Sequence, residues 1–304
     1  MNSQLSFANA LERIAELRQR YLADRCIFIP SVEMKELVFA LGATPSDLEA
    51  FQHESDFLEV DPTLAFRRSR NGRYCFVPEQ REIYRTIQQP FVLSAEEDFV
   101  RHDSGKIREF ASITPSAQGN PVLQALLAIN ALIVEGSEVE HRPGLNYASP
   151  NWITTAFHLR TITTPELVGE PALEGVHQDG VDHTMTIFLN SKNMVRDSAT
   201  TRLHSNQEAS GTQWYDQNLA HVLGTFQHQD VLDTLIVVDH ERKHSVSAVT
   251  PIEPSAPATR DMLILFTRKP VLGPHVSHEY DSDEVNEQAP LTINLPIAIL
   301  AQGA

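Results

Sequence analysis

Basic residues are scarce in this sequence: 24 Lys and Arg stand against 40 Asp and Glu, a formal net charge of -16. Nucleic-acid affinity rests largely on Lys and Arg neutralising phosphates, and no basic block offsets the deficit locally, so duplex DNA or RNA is not an expected partner. The most acidic stretches, Glu96-Glu97-Asp98 and the segment from Asp281 to Glu287, read as solvated surface. Cysteine is almost missing. Cys26 and Cys75 belong to no CxxC pair and no Cys/His cluster of zinc-like spacing, which points to two free thiols in a reducing cytoplasm. No stretch approaches the ~18 continuous apolar residues that span a bilayer. The N-terminal MNSQLSFANALERIAELRQRYLADR has neither an apolar signal-peptide core nor a small-residue cleavage site, so a soluble, cytoplasmic protein is expected. There is no internal repeat, and no GxGxxG or GxxxxGK[ST] loop to cradle a nucleotide phosphate.

What the sequence does have is an ordinary globular composition, 41% hydrophobic and 21% charged over 304 residues, enough for a substantial core. We expect one catalytic domain over 1–304, with 1–135 a largely helical N-terminal elaboration and 151–270 the core. Phe7, Leu11, Ile14, Leu17 and Tyr21 recur at helical spacing. Ser31 is placed to cap a second helix, and the Thr-Pro-Ser-Asp run at 44–47 opens a third after Gly42. PVLQALLAINALIVE, between Asn120 and Gly136, has the length and punctuation of a buried helix. From Trp152 the texture changes to β-branched and aromatic runs between turn residues: WITTAFHLRTIT, HTMTIFLN, HVLGTFQ, DTLIVVDH, SVSAVT and DMLILFTR. With no crossover helices between them, these strands predict a mainly β, double-sheet jelly-roll core (a double-stranded β-helix) flanked by helices.

The most informative segment is EGVHQDGVDH at 174–183, running into the strand-like Thr184 to Asn190. In an extended backbone His177 and Asp179 project to one face and can share a metal ion, while Gln178 points away. A second imidazole from a later strand would complete a two-histidine, one-carboxylate facial triad whose opposite face is open to substrates. His244 supplies it, at the start of a strand that follows DTLIVVDHERK. A cation one or two strands further on could pair bidentately with a carboxylate of a chelating co-substrate. Arg260 is placed for this, with Arg268 in reserve.

EGVHQDGVDHTMTIFLN, DTLIVVDHERKHSVSAVTPI and TRDMLILF together resemble the iron(II)/2-oxoglutarate-dependent dioxygenase family of free amino-acid hydroxylases of the L-isoleucine 4-hydroxylase type. The likeness covers about Asn151 to Phe266, and its most specific piece is the G-V/I-H-Q-D-G-x-D block. It implies Fe(II) held by His177, Asp179 and His244, 2-oxoglutarate held by Arg260, and hydroxylation of a small molecule, a free L-amino acid or derivative, by O2 with release of succinate and CO2. Relatives tend to have a compact H-G-V-T-P-I after the distal histidine; here HSVSAVTPI is longer, which keeps His240 as an alternative ligand. The loop between Arg196 and Gln217 also departs from the family's glycine-glycine-glutamate-like turn.

Beside this block, Arg160 and His158 share one face of WITTAFHLRTIT, and Phe157 and Leu159 share the other. If the polar face lined the pocket, Arg160 would bind a substrate carboxylate; Asp182 is a candidate for its amine. His183 reads as a satisfied strand histidine, and the remaining histidines, His102 among them, as ordinary residues. Two other readings are a cupin-type metalloenzyme using no 2-oxo acid, which predicts no dedicated arginine, and a catalytically silent jelly-roll binding protein.

Overall fold

The run WITTAFHLRTIT forms β5 (Trp152–Thr163), the strand around which the main sheet is organised in a computed structural model that describes residues 5–92 and 104–296. β11 (Ala258–Arg268) pairs with it on one side and β3 (Arg67–Val77) on the other, both antiparallel. Beyond β11 lie β6 (His183–Lys192), β9 (Thr234–Val238) and β1 (Cys26–Ile29); beyond β3 lie β4 (Glu82–Arg85) and β12 (Thr292–Asn294), while β2 (Glu59–Val60) pairs with β3. A second sheet has the order β10 (Lys243–Val246), β7 (Thr201–His204), β8 (Val222–Phe226). The predominantly antiparallel, two-sheet architecture is the expected jelly-roll type.

Strand alternation decides what each face of the main sheet does. Met185 and Ile187 of β6, Ile236 and Val238 of β9, and Leu263 and Leu265 of β11 all join one buried cluster with the helices. Their neighbours Thr184, Thr186, Leu235, Val237, Met262 and Ile264 face the other way, into a cavity roofed by the second sheet. The helical layer comprises α1 (Phe7–Asp24), α2 (Ser31–Ala40), α3 (Pro45–His53), α4 (Pro115–Gly119) and α5 (Pro121–Val134). In α5 every residue except Pro121 and Gln124 is buried, the pattern of a helix enclosed on all sides. Each fully buried Leu or Ile there contributes roughly 1.5–3 kcal/mol relative to exposure.

The structure differs from expectation in several local respects. The 1–135 segment supplies β1 to β4 as well as helices, and β3 lies inside the sheet, so this region is not merely an elaboration of a core at 151–270. β3 escapes the hydrophobic pattern because RRSRNGRYCFV places arginines on both faces; Arg70 and Arg73 are held by Glu59 and Asp281. Thr44 caps α3 as expected, with Asp47 completing a capping box. Ser31 instead lies inside α2, and its amide donates to Asp233 Oδ1 at 2.8 Å, so a residue two hundred positions away performs the capping. Both cysteines are free. No helix of the described residues is long and apolar enough to cross a membrane. The acidic run 96–98 and His102 lie outside the described residues.

Three of the buried histidines are held by hydroxyls: His158 bonds Ser55 Oγ at 2.8 Å, His183 lies between Tyr21 Oη (2.7 Å) and Ser137 Oγ (3.0 Å), and His228 bonds Thr186 Oγ1 at 3.1 Å. Burial lowers each to about 3, reinforced by Arg160, Arg25 and Arg260 respectively. Each is therefore neutral in the fold, whereas an unfolded histidine takes up a proton near pH 6.5. Unfolding takes up protons between these values, so stability is full above about pH 6.5 and is lost as pH falls towards 3, by up to about 4 kcal/mol per pH unit if all three contribute. Thermal unfolding between pH 7.5 and 5 should show a steep acid-side fall in Tm that is reduced in His158→Gln; a flat profile would show that the imidazoles do not control acid stability.

Candidate metal centre

The connection from β5 to β6 carries the H-x-D block. Gly175 has φ +77°, and a Cβ there would meet the Thr212 carbonyl oxygen at 2.5 Å, so both conformation and space require glycine. Its own carbonyl accepts from His177 Nδ1 at 2.9 Å. His177 and His244 then exchange backbone hydrogen bonds in both directions, each 2.9 Å, forming an isolated antiparallel bridge. The block was expected on a strand end; it lies instead in irregular chain before β6, made extended at His177 by this bridge.

The consequence is a cluster in which one ligand atom from each of His177, Asp179 and His244 lies within 4.8 Å of the others. Nε2 of His177 is 3.5 Å from Asp179 Oδ1, and Nε2 of His244 is 3.5 Å from Asp179 Oδ2. With Nδ1–H of His177 committed to the Gly175 carbonyl, Nε2 is the free nitrogen. The carboxylate is oriented from both ends: Thr184 Oγ1 donates to Oδ2 at 2.7 Å, and the Asp179 amide donates to both oxygens of Asp239 at 3.0 and 2.9 Å. Asp239 Oδ1 is also 3.7 Å from His244 Nδ1. Gln178 points away, as expected, and its amide donates to the carbonyls of His240 (2.8 Å) and Arg242 (3.2 Å), fixing the turn before β10.

The electrostatics favour a cation at this point. Burial works against protonation of His177, yet Glu174 and Asp179 raise it to about 10. For Asp179, burial is outweighed by the two imidazoles, which hold the carboxyl well below its ordinary range. His244 is lowered to about 4 by burial. Burial, followed by the Asp179 charge, raises Asp239. A dication at the three ligand atoms would take the place of the proton that the carboxylates attract.

The cluster opens into a cavity of about 140 Å³ between the sheets. Much of its wall is aromatic: the Phe157 ring meets Phe110, Phe91 and Phe266 edge-on at 5.0, 5.3 and 5.6 Å. Four charged side chains besides Asp179 also line it, Arg67, Arg108, Glu174 and Arg260. Arg67 is held by Asp61 at 2.7 Å, and the Arg108 guanidinium lies over Phe91. Arg260 is 4% exposed, its Nε has no hydrogen-bond partner among the described residues, and burial lowers its pKa to about 10. Its cross-strand partner Thr161 also lines the cavity with a buried, unpartnered hydroxyl. A buried guanidinium without an anion costs several kcal/mol. These two orphaned donors fit a carboxylate.

Four of the sequence-derived residues, His177, Asp179, His244 and Arg260, therefore meet around one cavity. His240 does not join the cluster; its Nδ1 lies 3.0 Å from Arg142 Nη1. Arg268 lies at the other end of β11 and pairs with Asp281 at 2.8 Å. Arg160 is corrected: Phe157, Leu159 and Thr161 face the cavity, so Arg160 faces the helices and forms a bidentate pair with Asp261 (2.6 and 2.8 Å). Asp182 is corrected too, being fully buried and engaged by Tyr147 Oη (2.6 Å) and the Lys269 amide (2.9 Å), away from the cavity. Sequence reasoning missed Glu174, Thr184, Asp239, Arg67, Arg108 and Thr161. An acid three residues before His177 and another closing an apolar strand were the available signals for Glu174 and Asp239.

The family model 2OG-Fe dioxygenase matches residues 52–266. The chain is 40% identical over 289 residues to the "Bifunctional enzyme flvA" of Aspergillus flavus, covering 95% of this chain but only 35% of that protein, so it spans about a third of that relative's length. Among solved structures it is similar to the Fe(II)/(alpha)ketoglutarate-dependent dioxygenase TqaL, with 40% identity, 95% and 97% of the two chains covered and a TM-score of 0.81. IDO from Bacillus thuringiensis shares the fold at 17% identity, with 84% and 99% covered and a TM-score of 0.63.

Removing Asp239 would strand the buried Asp179 amide and release the carboxylate that it positions. Asp239→Ala should weaken divalent-ion binding about 10–100-fold with a loss of about 1–3 kcal/mol in stability. Anaerobic Fe(II) titration and thermal melts check this, and unchanged affinity would remove Asp239 from the centre.

Proposed function

This chain belongs to the 2OG-Fe dioxygenase family, and from that premise we propose that it hydroxylates a free L-amino acid or derivative at a centre built from His177, Asp179 and His244. At the coarser level it is an oxidoreductase that uses Fe(II), 2-oxoglutarate and O2 on a small molecule. The observation that carries our assignment is Arg260, a buried guanidinium whose Nε has no partner among the described residues, on the wall of the same cavity as the three ligands. A cupin-type enzyme without a 2-oxo acid gives this cation nothing to bind, and a silent binding protein gives the three ligand side chains no reason to converge.

In our reading His177 and His244 bind as neutral imidazoles through Nε2, with Asp179 as the third ligand, which leaves the opposite positions open. Arg260, with Thr161 beside it, holds the distal carboxylate of 2-oxoglutarate and orients its other end towards the ligands. Iron with its co-substrates, when bound, couples conversion of 2-oxoglutarate to succinate and CO2 with oxidation of a C–H bond. The phenylalanine wall excludes water and receives an apolar side chain. The amino-acid class is supported by the G-V-H-Q-D-G-V-D block and by the mixture of aromatic surface with Glu174 and three arginines in one cavity. We read the whole chain as a single catalytic domain, because the sheet that lines the cavity with one face shares a single core with the N-terminal helices through the other.

His177→Ala and Asp179→Ala should each abolish Fe(II) binding and succinate formation while leaving the fold intact; turnover of 2-oxoglutarate by either variant would refute the ligand assignment. Arg260→Ala removes a charge-assisted bidentate contact worth about 1.5–3 kcal/mol, so the apparent KM for 2-oxoglutarate should rise about 10–100-fold with little change for the amino acid. An unaltered 2-oxoglutarate requirement would assign the carboxylate to another residue.

A further inference from the structure

We propose that Glu174 is the residue that receives the substrate's ammonium group, and so selects amino acids over the corresponding 2-hydroxy acids. The proposal rests on the amino-acid reading above and extends it to one atom of the substrate. Glu174 lines the same cavity as the three ligands; its side chain is 10% exposed, and Oε1 lies 3.5 Å from His177 Nε2. That contact is not a hydrogen bond that survives in the working site. Nδ1–H of His177 is given to the Gly175 carbonyl, so the ligating form of the imidazole presents a lone pair, not a proton, at Nε2. Two acceptors then face one another. Among the described residues the charged contact of Glu174 is with His177 alone.

Glu174 is not part of the metal cluster, which comprises His177, Asp179 and His244. A buried carboxylate needs a cation or several donors, and the aromatic part of the wall offers neither. A ligand with an ammonium head and an apolar body meets both requirements. Glu174 sits at the metal end of the cavity, so an ammonium held there brings the adjoining carbons close to the oxidising centre.

The test is anaerobic and independent of turnover. The visible charge-transfer band of the Fe(II)–2-oxoglutarate complex is titrated with L-valine, L-leucine, L-isoleucine, L-methionine and L-phenylalanine, and with their 2-hydroxy acid counterparts. Wild-type protein should respond to at least one amino acid, at an affinity at least tenfold above that of its 2-hydroxy counterpart. Glu174→Gln, nearly isosteric, should form the band at unchanged iron stoichiometry and Tm but bind that amino acid about tenfold to a hundredfold more weakly, with no loss for the 2-hydroxy acid. Wild-type affinity in Glu174→Gln would overturn the proposal, as would loss of iron from that variant, which would make Glu174 part of the metal centre. A band that forms in wild type but responds to no amino acid would overturn the substrate class and this proposal with it. Failure of wild type to form the band would overturn the metal and 2-oxoglutarate reading itself.

Discussion

Two backbone hydrogen bonds between His177 and His244 hold the site together. They join the β5–β6 connection to the second sheet, and they place two imidazoles side by side, ring centroids 4.2 Å apart. Everything nearby serves that pairing. Gly175 allows the chain to turn into it, Gln178 ties down the turn that leads to His244, and Asp239 receives the amide of the residue two positions past His177. Preorganisation of this kind is what a metal centre needs, because ligands already in position need little further ordering when an ion arrives.

The division of the main sheet into two faces explains why one strand set can serve both stability and chemistry. The helix side is aliphatic and closed over by α5. The cavity side is a mixture of threonine, aromatic and charged residues, tolerable because it borders a site and not a close-packed core. Arg260 and Asp261 illustrate the rule at adjacent positions: one enters the cavity with its Nε unpartnered among the described residues, and the other turns to the helices, where Arg160 neutralises it.

Much of this was legible in the sequence, for identifiable reasons. Strands such as β5 and β11 announce themselves through β-branched and aromatic runs, and the H-x-D spacing places two ligands together wherever the chain is extended. β3 was invisible because its arginines are satisfied by distant acids, and the second sheet's β7 is four residues long with no pattern of its own. The face of β5 that meets the cavity was left open because polarity alone does not say which side of a sheet encloses one; here Phe157 and Leu159 line it and His158 lies against Phe51, which removes the role Arg160 would have had. Asp182 looked available beside the motif, but burial and two hydrogen bonds remove it. Glu174 and Asp239 could be recognised only once distant segments had been brought together.

The bridge between His177 and His244 also has a mechanical meaning. Both cysteines are free, so no covalent cross-link fastens the two sheets of the sandwich at this end. An ion gripped by residues from the inter-strand connection and from β10 would clamp chain segments several tens of residues apart, much as a disulfide restrains a loop. The catalytic centre would then double as a structural rivet, and resistance of this region to proteolysis or hydrogen exchange would vary with occupancy of the metal site as well as with the aliphatic core.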